Sequence, residues 1–438
     1  MVALAYVLVD RGSFPTEAEM RFSSFRSTNN SGSSKIDYRN ETCLIPNSRP
    51  NGVQQGGLIP NSNAHLTELN TTSINLRTML RLSHISITQF KNYSASQFDF
   101  AKKVIGICGR NGMGKTNLLD AIYYSCITKS YFSSTEANNI QFERDGFRLE
   151  ARFMKNDLVN NVVSILRGNT KKELSLNDVP YEKFSEHVGL IPVIMIAPDD
   201  ISLIIAGSEV RRKYLDSLIS QIDPEYLQHL MNYNKILQQR NGLLKNFHSQ
   251  SDASTLLEVL SKQLILPGCF IYERRKALLS ELLPLVVKFY NKISDNHEII
   301  QLDYVSQLRE KPLERLLQES LQKDVTLQRT STGIHKDDIV FFLDGHTFKS
   351  IASQGQRKSL LFSLKLAAYE IMKKTKGFAP LLLLDDVFEK LDDNRMKNLL
   401  QWVCNENSGQ VFITDTHRER MEEAFALLNI EGEIVELL

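Results

Sequence analysis

Residues 109 to 116, with the sequence GRNGMGKT, constrain the fold of this chain more than any other feature. They match the phosphate-loop spacing G-x-x-x-x-G-K-[ST], and they follow an apolar run, 104 to 108, that is typical of a buried strand. A helix is predicted to begin at Lys115. A loop of this kind needs a strand before it and a helix N-terminus after it, because backbone N–H groups and the helix dipole together attract phosphate. The motif therefore predicts a nucleotide-binding α/β domain.

Each part of this loop has an expected role. The three glycines let the backbone curl so that its N–H groups face the β-phosphate, Lys115 reaches the β and γ oxygens, and the Thr116 hydroxyl ligates Mg²⁺. ATP and Mg²⁺ are therefore the expected cofactors. The candidate nucleotide-binding residues of the loop are Gly109, Arg110, Asn111, Gly112, Met113, Gly114, Lys115 and Thr116.

A second candidate half-site lies far along the chain. The apolar run 381 to 384 ends in two carboxylates, Asp385 and Asp386. Asp385 is the candidate Mg²⁺ ligand, and Asp386 is the candidate catalytic base that polarises the attacking water. For either residue taken alone, the alternative is a purely structural acid at the end of a strand. Because Lys115 and Asp385 are 270 positions apart, the pair predicts a large insertion within the head.

The pattern along the chain divides it into four parts. Residues 1–78 are rich in Gly, Ser, Asn, Pro and Thr and lack an amphipathic period, so they are predicted to be a disordered or non-native extension. Structured sequence is expected to begin at Met79, which would then be the true start. We predict the first half of the head in 79–197, a helical insertion in 198–324, and the second half of the head in 325–438.

The predicted insertion has turn signals at Asp223-Pro224, Asn241-Gly242, Pro267-Gly268 and Pro284, which are expected to separate its helices. About 125 residues folded back as several helices give an arm of a few tens of ångströms, which is too short for a long coiled coil. Its basic residues either form a phosphate-binding track or belong to a solvated helix face. These residues are Arg211, Arg212, Lys213, Arg240, Lys245, Arg274, Arg275 and Lys276.

A third motif, Ser353-Gln354-Gly355-Gln356, stands before a predicted helix and 32 residues before Asp385. Ser is a common N-cap, which is one interpretation. The other is a second anion cradle for the γ-phosphate held by another subunit, as in the signature motif of ATP-binding-cassette (ABC) ATPases, which this segment resembles. On that interpretation Ser353, Gly355 and Gln356 bind nucleotide, and Ser353 joins Lys115 and Asp386 as a catalytic candidate. The predicted fold is an ABC-type P-loop ATPase head with an inserted helical domain.

Further segments match that class. Residues 389 to 392 stand in the place of its D-loop, and the apolar run from Val411 delivers Thr414, Asp415 and His417 where its switch residue lies. Taken together, the motifs resemble the RecF family of recombination-mediator ATPases, which is related to the SMC and Rad50 heads. The resemblance covers residues 79 to 438.

Three family-specific blocks carry this resemblance. The segment 80 to 93 is similar to an L-x-x-F-x-N-Y opening, and the APDD sequence at 197 to 200 is followed by basic residues at 211 and 212. The TGIHKDD sequence at 332 to 338 is usually TGPHRDD, so Ile334 and Lys336 are departures. Lys keeps the charge of Arg but lacks its bidentate fork. Asp386 stands where transporter ATPases carry Glu, and its shorter side chain fits slow turnover.

The resemblance implies a weak, DNA-stimulated ATPase that uses hydrolysis as a switch. ATP binding would close a homodimer over double-stranded DNA near single-strand gap junctions and promote recombinase loading, with RecR, RecO and RecA as partners. The main alternative is the nucleotide-binding subunit of a membrane ABC transporter, but the chain lacks the usual LSGGQ. A third hypothesis is an ATP-gated nuclease, which incubation with plasmid and Mg²⁺ would reveal.

Composition limits these hypotheses. Lys and Arg total 52 against 51 Asp and Glu, so any contact with nucleic acid must come from local patches rather than from net charge. The five Cys have no CxxC spacing, which fits a reducing compartment. No apolar run approaches the roughly 18 to 20 residues that span a bilayer. A cytoplasmic protein without a membrane contact is therefore expected.

Overall fold

The computed structural model describes most of the chain from Met79 onward. The predicted extension 1–78 and the D-loop candidates 389 to 392 lie outside the described residues. All of the described residues belong to one folded unit. They are 79–168, 171–247, 252–294, 298–387 and 393–437.

The strands of the described residues form three sheets. A five-stranded parallel sheet has the order β14-β3-β13-β12-β8, a six-stranded antiparallel sheet has the order β2-β1-β4-β5-β6-β7, and a small antiparallel sheet has the order β11-β10-β9. The strands are β1 (Arg81–Phe90), β2 (Tyr93–Asp99), β3 (Val104–Cys108), β4 (Gly146–Lys155), β5 (Leu158–Arg167), β6 (Lys171–Leu176), β7 (Val179–Pro180), β8 (Val193–Ile196), β9 (Ile300–Val305), β10 (Asp338–Leu343), β11 (His346–Thr347), β12 (Leu381–Leu384), β13 (Val411–Asp415) and β14 (Gly432–Glu436).

The described residues also form eleven helices. A π-helical turn, Gln401–Glu406, continues the tenth of them. The helices are α1 (Lys115–Ile127), α2 (Ser202–Ile205), α3 (Ser208–Ile222), α4 (Pro224–Lys245), α5 (Ala253–Ser294), α6 (Leu313–Glu319), α7 (Leu321–Leu327), α8 (Phe348–Ile351), α9 (Gln354–Lys376), α10 (Asp393–Leu400) and α11 (Arg418–Leu427).

Four strands of the parallel sheet, β3, β8, β12 and β13, are buried along their whole length, which explains why they read as continuous apolar runs. On β12, Leu381 and Leu383 belong to the core shared with α1 and the antiparallel sheet. Leu382 and Leu384 belong to the core shared with α9 and the inserted helices. Because all five strands run in one direction, their carboxyl ends share one edge, and β3 and β12 deliver the two candidate half-sites there.

Helix α1 lies between the two large sheets. Eleven of its thirteen residues are buried, and its apolar side chains pack with β1 and β4 on one side and with β3 and β13 on the other. A helix surrounded by apolar contacts cannot rotate or shift without opening the core. Its N-terminus, where the phosphate loop ends, is therefore fixed in position.

Only one of the turn signals in the insertion is confirmed. Asp223 caps α4 by accepting hydrogen bonds from the next backbone amides, and Pro224 is the first helical residue. The turn predicted at Asn241-Gly242 is wrong, because α4 continues to Lys245. Those predicted at Pro267-Gly268 and Pro284 are wrong as well, because both lie inside α5.

Packing explains why α5 continues through these residues. A Cβ at Gly268 would lie 2.4 Å from Leu313 Cδ2, so this glycine permits close contact with α6 rather than a turn. The 42 residues of α5 extend over about 60 Å. Among the described residues, α5 alone is long and apolar enough to cross a membrane, a criterion that core helices of soluble proteins also meet.

The range predicted as the helical insertion also contains a strand. β9 follows α5 and pairs with β10 in antiparallel register, with Tyr304 opposite Ile339. The inserted helices are thereby joined to the second half of the head through backbone hydrogen bonds. The last inserted helix, α7, ends at Leu327.

Candidate functional site

The phosphate loop joins β3 directly to α1. Gly114 is the N-cap of α1 and has a left-handed backbone with φ of 104°. A Cβ at this position would lie 2.6 Å from the Asn92 side chain and 2.9 Å from the Tyr93 hydroxyl. Tyr93 donates a hydrogen bond to the Gly114 carbonyl oxygen at 3.0 Å. Only glycine fits here, and the two residues of the N-Y pair at the end of the opening motif hold the base of the loop.

Lys115 is buried inside the curl of this loop, with 5% of its surface exposed. Its ammonium donates to the carbonyl oxygens of Gly109 at 2.7 Å and Arg110 at 3.2 Å. The tip of the loop, Arg110 to Met113, is exposed. The loop thus presents backbone amides and one ammonium at a helix N-terminus, which is the arrangement that binds phosphate.

The two half-sites predicted from distant segments come together at the edge of the parallel sheet. The hydroxyl oxygen of Thr116, in the first turn of α1, lies 2.9 Å and 3.1 Å from the two carboxylate oxygens of Asp385. Thr414, on β13, donates a hydrogen bond to Asp385 Oδ1 at 2.8 Å. Sequence reasoning did not assign Thr414 this contact, although a hydroxyl after three apolar residues of a buried strand was a usable signal.

Asp385 is nearly enclosed, with 5% of its surface exposed. Burial raises the pKa of its carboxyl group to about 6, with a smaller contribution from the neighbouring charge of Asp386, while hydrogen bonds from Thr414 and Thr116 and the charge of Lys115 oppose the shift. The Asp385 carboxylate and the neighbouring Thr116 hydroxyl together offer hard oxygen ligands of the kind that Mg²⁺ prefers.

The residue composition of this site fits Mg²⁺ bound together with a nucleotide. In the described part of the chain, no group of three or more His, Cys, Asp or Glu side chains is placed to hold a metal ion alone. Mg²⁺ usually takes one or two protein ligands and completes its shell with phosphate oxygens and water. Thr116 and Asp385 fit that requirement.

Asp386 follows the end of β12 and has φ of 45°, an unusual backbone for a residue other than glycine, although Asp tolerates it better than most. Its backbone N–H donates to the Thr414 hydroxyl at 2.9 Å. The chain therefore turns directly after Asp385. This turn is the geometric condition under which neighbouring carboxylates, which point in opposite directions along a strand, both reach one site.

Ser353 caps α9 through a reciprocal capping box. Its hydroxyl accepts from the Gln356 backbone N–H at 3.2 Å, and the Gln356 side chain accepts from the Ser353 backbone N–H at 2.7 Å. Gln356 also donates to Glu298. A Cβ at Gly355 would lie 2.8 Å from an Arg395 nitrogen. Within one chain these residues bond to each other rather than to the phosphate loop, and Ser353 is exposed.

The end of β13 carries a buried carboxylate. Burial alone would raise the pKa of Asp415, but hydrogen bonds from the Arg420 side chain and the His417 backbone amide hold it below its usual value. The His417 side chain is 68% exposed. Its ring lies beside the Thr416 hydroxyl at 2.8 Å. His417, the candidate switch residue, is therefore accessible from solvent.

The basic track expected on the inserted helices is wrong for two of its members. Arg240 and Arg275 have 0% and 1% of their surfaces exposed. Arg240 donates to Asp324 at 2.8 Å. Arg275 donates to Asp216 at 2.7 Å and to Asp337 at 3.0 Å. Buried and paired guanidinium groups cannot contact a polyanion, so these residues hold the helices together instead.

Part of the 332 to 338 motif is also buried. The His335 ring donates through Nε2 to the Thr330 carbonyl oxygen at 3.1 Å and accepts at Nδ1 from the Tyr233 hydroxyl at 2.9 Å. Burial lowers the pKa of His335 to about 4, so the ring is neutral at pH 7. Lys336, in contrast, is exposed.

Comparisons with known proteins agree with this geometry. Residues 81–433 match the model of the RecF/RecN/SMC N-terminal domain family. The "DNA replication and repair protein RecF" of Flavobacterium johnsoniae is 44% identical over 344 residues, which cover 78% of this chain and 96% of the relative. The protein of the same name from Parabacteroides distasonis is 39% identical, covering 80% and 94% of the two chains.

Solved structures give the same result. The structure described as the recombination mediator protein RecF-ATPrS in the RecFOR pathway matches with a TM-score of 0.74 and 29% identity, covering 82% of this chain and 97% of that chain. The corresponding RecF-ATP structure matches with a TM-score of 0.72 and 30% identity, covering 78% and 94%. Both the predicted ATPase-head fold and the resemblance are confirmed, and this chain belongs to the RecF family.

Proposed function

We propose that this protein is an ATP-dependent DNA-binding protein of replication and recombinational repair. ATP would close two copies over duplex DNA near single-strand gaps, and hydrolysis would release them after recombinase loading. The observation that carries the proposal is the convergence of Thr116 and Asp385, separated by most of the chain, beside a phosphate loop. The names of its relatives, DNA replication and repair protein RecF, support the same function.

Within one copy, the loop would bind the phosphates of ATP. The backbone amides of residues 110 to 114 and the Lys115 ammonium would compensate their charge, because a helix N-terminus and a buried cation favour anions. Thr116 and Asp385 would hold Mg²⁺, whose charge stabilises the phosphoryl group during transfer. Asp386 would accept a proton from the attacking water. The short side chain of Asp386 would make turnover slow, and slow turnover would suit a switch better than a metabolic enzyme.

The site is proposed to be completed by a second copy. Ser353, at the exposed N-terminus of the 23-residue helix α9, is bonded within its own capping box and not to the phosphate loop of its own chain. A helix N-terminus attracts the γ-phosphate of a nucleotide held by another subunit. This arrangement makes dimerisation depend on ATP, with Ser353, Gly355 and Gln356 on one side and Lys115 on the other.

The partners proposed are RecR and RecO, since the similar solved structures are described within the RecFOR pathway, and RecA, which the family resemblance implies. The protein would act in the cytoplasm, where a bacterial chromosome lies. The transporter hypothesis is not favoured, because the matching family model is that of the RecF/RecN/SMC N-terminal domain and the similar relatives are named DNA replication and repair proteins. Co-purification with membranes would be needed to restore it.

The proposal is tested by measuring binding of a labelled duplex with a single-strand gap, with and without ATP and Mg²⁺. We expect ATP to strengthen binding to the wild-type protein at least tenfold and to have no effect on Lys115→Met. Lys115 bonds only to the loop itself, so this variant should keep its fold, which circular dichroism would verify. Equal DNA binding with and without ATP by the wild-type protein would refute ATP gating.

A further inference from the structure

A cleft of about 680 Å³ lies among the inserted helices. Its walls come from α3, from the face of α4 between Gln228 and Asn241, from Arg275 of α5, and from residues 334 and 335. Besides several Asn and Gln side chains, its lining includes four groups that carry positive charge. These are Arg212, Lys213, Lys235 and Arg275.

The acids that line this cleft are already paired. Glu209 accepts from Lys213 at 2.5 Å, and Asp216 accepts from the buried Arg275 at 2.7 Å. Arg212 donates to the backbone carbonyl oxygen of Asp337 at 2.7 Å, a neutral acceptor. Lys235 is exposed and forms no ion pair within the described residues. The lining therefore keeps an excess of positive charge.

More cations surround Lys336, beside the cleft. The pKa of Lys336 is lowered by partial burial first, and then by the like charges of Arg329, Arg212 and Lys323. Lys323, Arg329 and Lys336 are exposed, and no carboxylate pairs with them in the part of the chain that the structure describes. The buried carboxylate of Asp324 offsets part of this repulsion. Asp324 is already paired with Arg240, so the exposed cations around Lys336 still repel one another, and a bound anion would relieve that repulsion.

The same region shows what ordinary surface pairing looks like in this protein. Arg309 is paired with Asp303 at 2.9 Å, and Arg315 is paired with Glu319 at 2.7 Å. Such pairs leave little charge for a ligand. The described acids around Lys336 are bonded to other cations: Asp324 to Arg240, Asp337 to Arg275 and Asp338 to Arg211. This distinguishes the surface around Lys336 from the helix faces with ordinary surface pairs.

We propose that the cationic cleft, defined as Arg212, Lys235, Lys323, Arg329 and Lys336, binds the phosphate backbone of duplex DNA. This inference rests on the proposed function and adds the surface that contacts the DNA. The α4 wall from Gln228 to Asn241 extends over about 20 Å, which matches about six successive phosphates of one strand. The amide side chains along it are neutral donors suited to phosphate oxygens, so contact is independent of base sequence.

This surface comes from α3, α4, α7 and the 332 to 338 motif, which are far apart in sequence. It shares only Arg212 with the basic track expected on the inserted helices. Of the α5 members of that track, Arg275 is buried and Arg274 is paired with Asp223 at 3.1 Å. Lys336 occupies the position where the family resemblance expects Arg. A lysine suffices there, because contact with a phosphate backbone needs a charge rather than a bidentate fork.

The test compares two double variants that each remove two surface cations. Arg329→Ala/Lys336→Ala changes the cleft, and Arg274→Ala/Lys276→Ala changes a helix face outside it. Binding of a labelled duplex is measured with ATP and Mg²⁺ between 50 and 200 mM salt. For the cleft variant we expect roughly ten- to hundredfold weaker binding and a slope of log K against log salt that is smaller by about 1.8, because two phosphate contacts are lost. The control variant should match the wild type.

The outcomes separate this inference from the function on which it rests. If the wild-type protein does not bind DNA with ATP, the proposed function fails. If it binds DNA and the cleft variant binds equally well with the same slope, only the cleft assignment is overturned. The cleft assignment would also be overturned if the cleft variant bound polyglutamate more weakly than the wild type but bound DNA equally well. The cleft would then bind an acidic protein segment instead of DNA. ATP affinity, measured in parallel, should stay unchanged in both variants.

Discussion

Replacing Arg275 with Met should destabilise the protein far more than the same change at its neighbour Arg274. The two arginines are adjacent on α5, but successive helical residues point about 100° apart, so one faces inward and the other outward. Arg275 is 1% exposed, whereas the Arg274 side chain is 47% exposed. This pair therefore offers a matched comparison between a buried ionic network and a surface ion pair.

The contacts of Arg275 set the size of the expected effect. Its guanidinium donates to Asp216, Asp337, the Tyr226 hydroxyl and the Ile334 carbonyl oxygen at 2.7 to 3.1 Å. Met would fill much of the volume but leave two buried carboxylates without a cation. Breaking a buried pair in this way typically costs about 3 to 5 kcal/mol. Arg274→Met removes only an exposed pair, which costs about 0 to 1 kcal/mol.

Urea denaturation followed by tryptophan fluorescence would measure both changes. The single tryptophan, Trp402, packs edge-on against Phe289 of α5 with ring centroids 5.0 Å apart, so it reports on the packing of that helix. With an m value of about 3 kcal/mol per molar urea, the midpoint of Arg275→Met should fall by roughly 1 to 2 M. That of Arg274→Met should move by less than about 0.3 M.

A conservative variant guards against a protein that simply fails to fold. Arg275→Lys keeps the charge but loses the bidentate fork, so its midpoint should lie between those of the wild type and Arg275→Met. The reasoning is wrong if Arg275→Met and Arg274→Met unfold at the same urea concentration, or if Arg275→Met loses less than about 1 kcal/mol.

Three further predictions concern the site and its surroundings. Asp386→Asn should retain ATP and hydrolyse it at least tenfold more slowly, because an amide cannot accept the proton. Asp385→Asn should instead weaken Mg²⁺-dependent nucleotide binding itself. Steady-state turnover and nucleotide titration distinguish the two effects. Ser353→Arg should bind ATP as a monomer but fail to dimerise, because a bulky cation would stand where two copies meet. Dimers of this variant detected by light scattering with ATP would contradict the prediction. Since the folded pKa of His335, about 4, lies below its ordinary value of 6.5, its neutral state stabilises the fold above pH 6.5 and this contribution is lost as pH falls toward 4. Between pH 7 and pH 4.5 the free energy of unfolding, measured by urea denaturation, should therefore fall by about 2 to 3 kcal/mol more in the wild type than in His335→Asn. Equal falls in the two proteins would contradict this prediction.

Local sequence was sufficient where one short segment determines both structure and chemistry. The spacing of the phosphate loop placed a strand before Gly109 and a helix from Lys115, and both are confirmed. The run ending at Leu384 predicted a buried strand, which is also confirmed. These features are readable because glycine conformation, apolar runs and helix starts depend on neighbouring residues.

Features that depend on distant contacts were not readable in this way. The charge pattern of the sequence does not distinguish Arg274 from Arg275. The positions of α3, α4 and β9 decide which of the two is buried, and these positions depend on the folded structure. Pro267 and Gly268 resembled a turn, yet contact with α6 keeps them inside a helix. The role of Thr414 depends on the alignment of β13 beside β12, which no local pattern specifies.

The most direct test of the whole account is sedimentation of Asp386→Asn with and without ATP, Mg²⁺ and a fluorescent DNA duplex. We expect a monomer without nucleotide, and with ATP a dimer that carries the DNA and persists because hydrolysis is blocked. A protein that binds ATP under these conditions yet sediments as a monomer, with the duplex sedimenting separately, would contradict it.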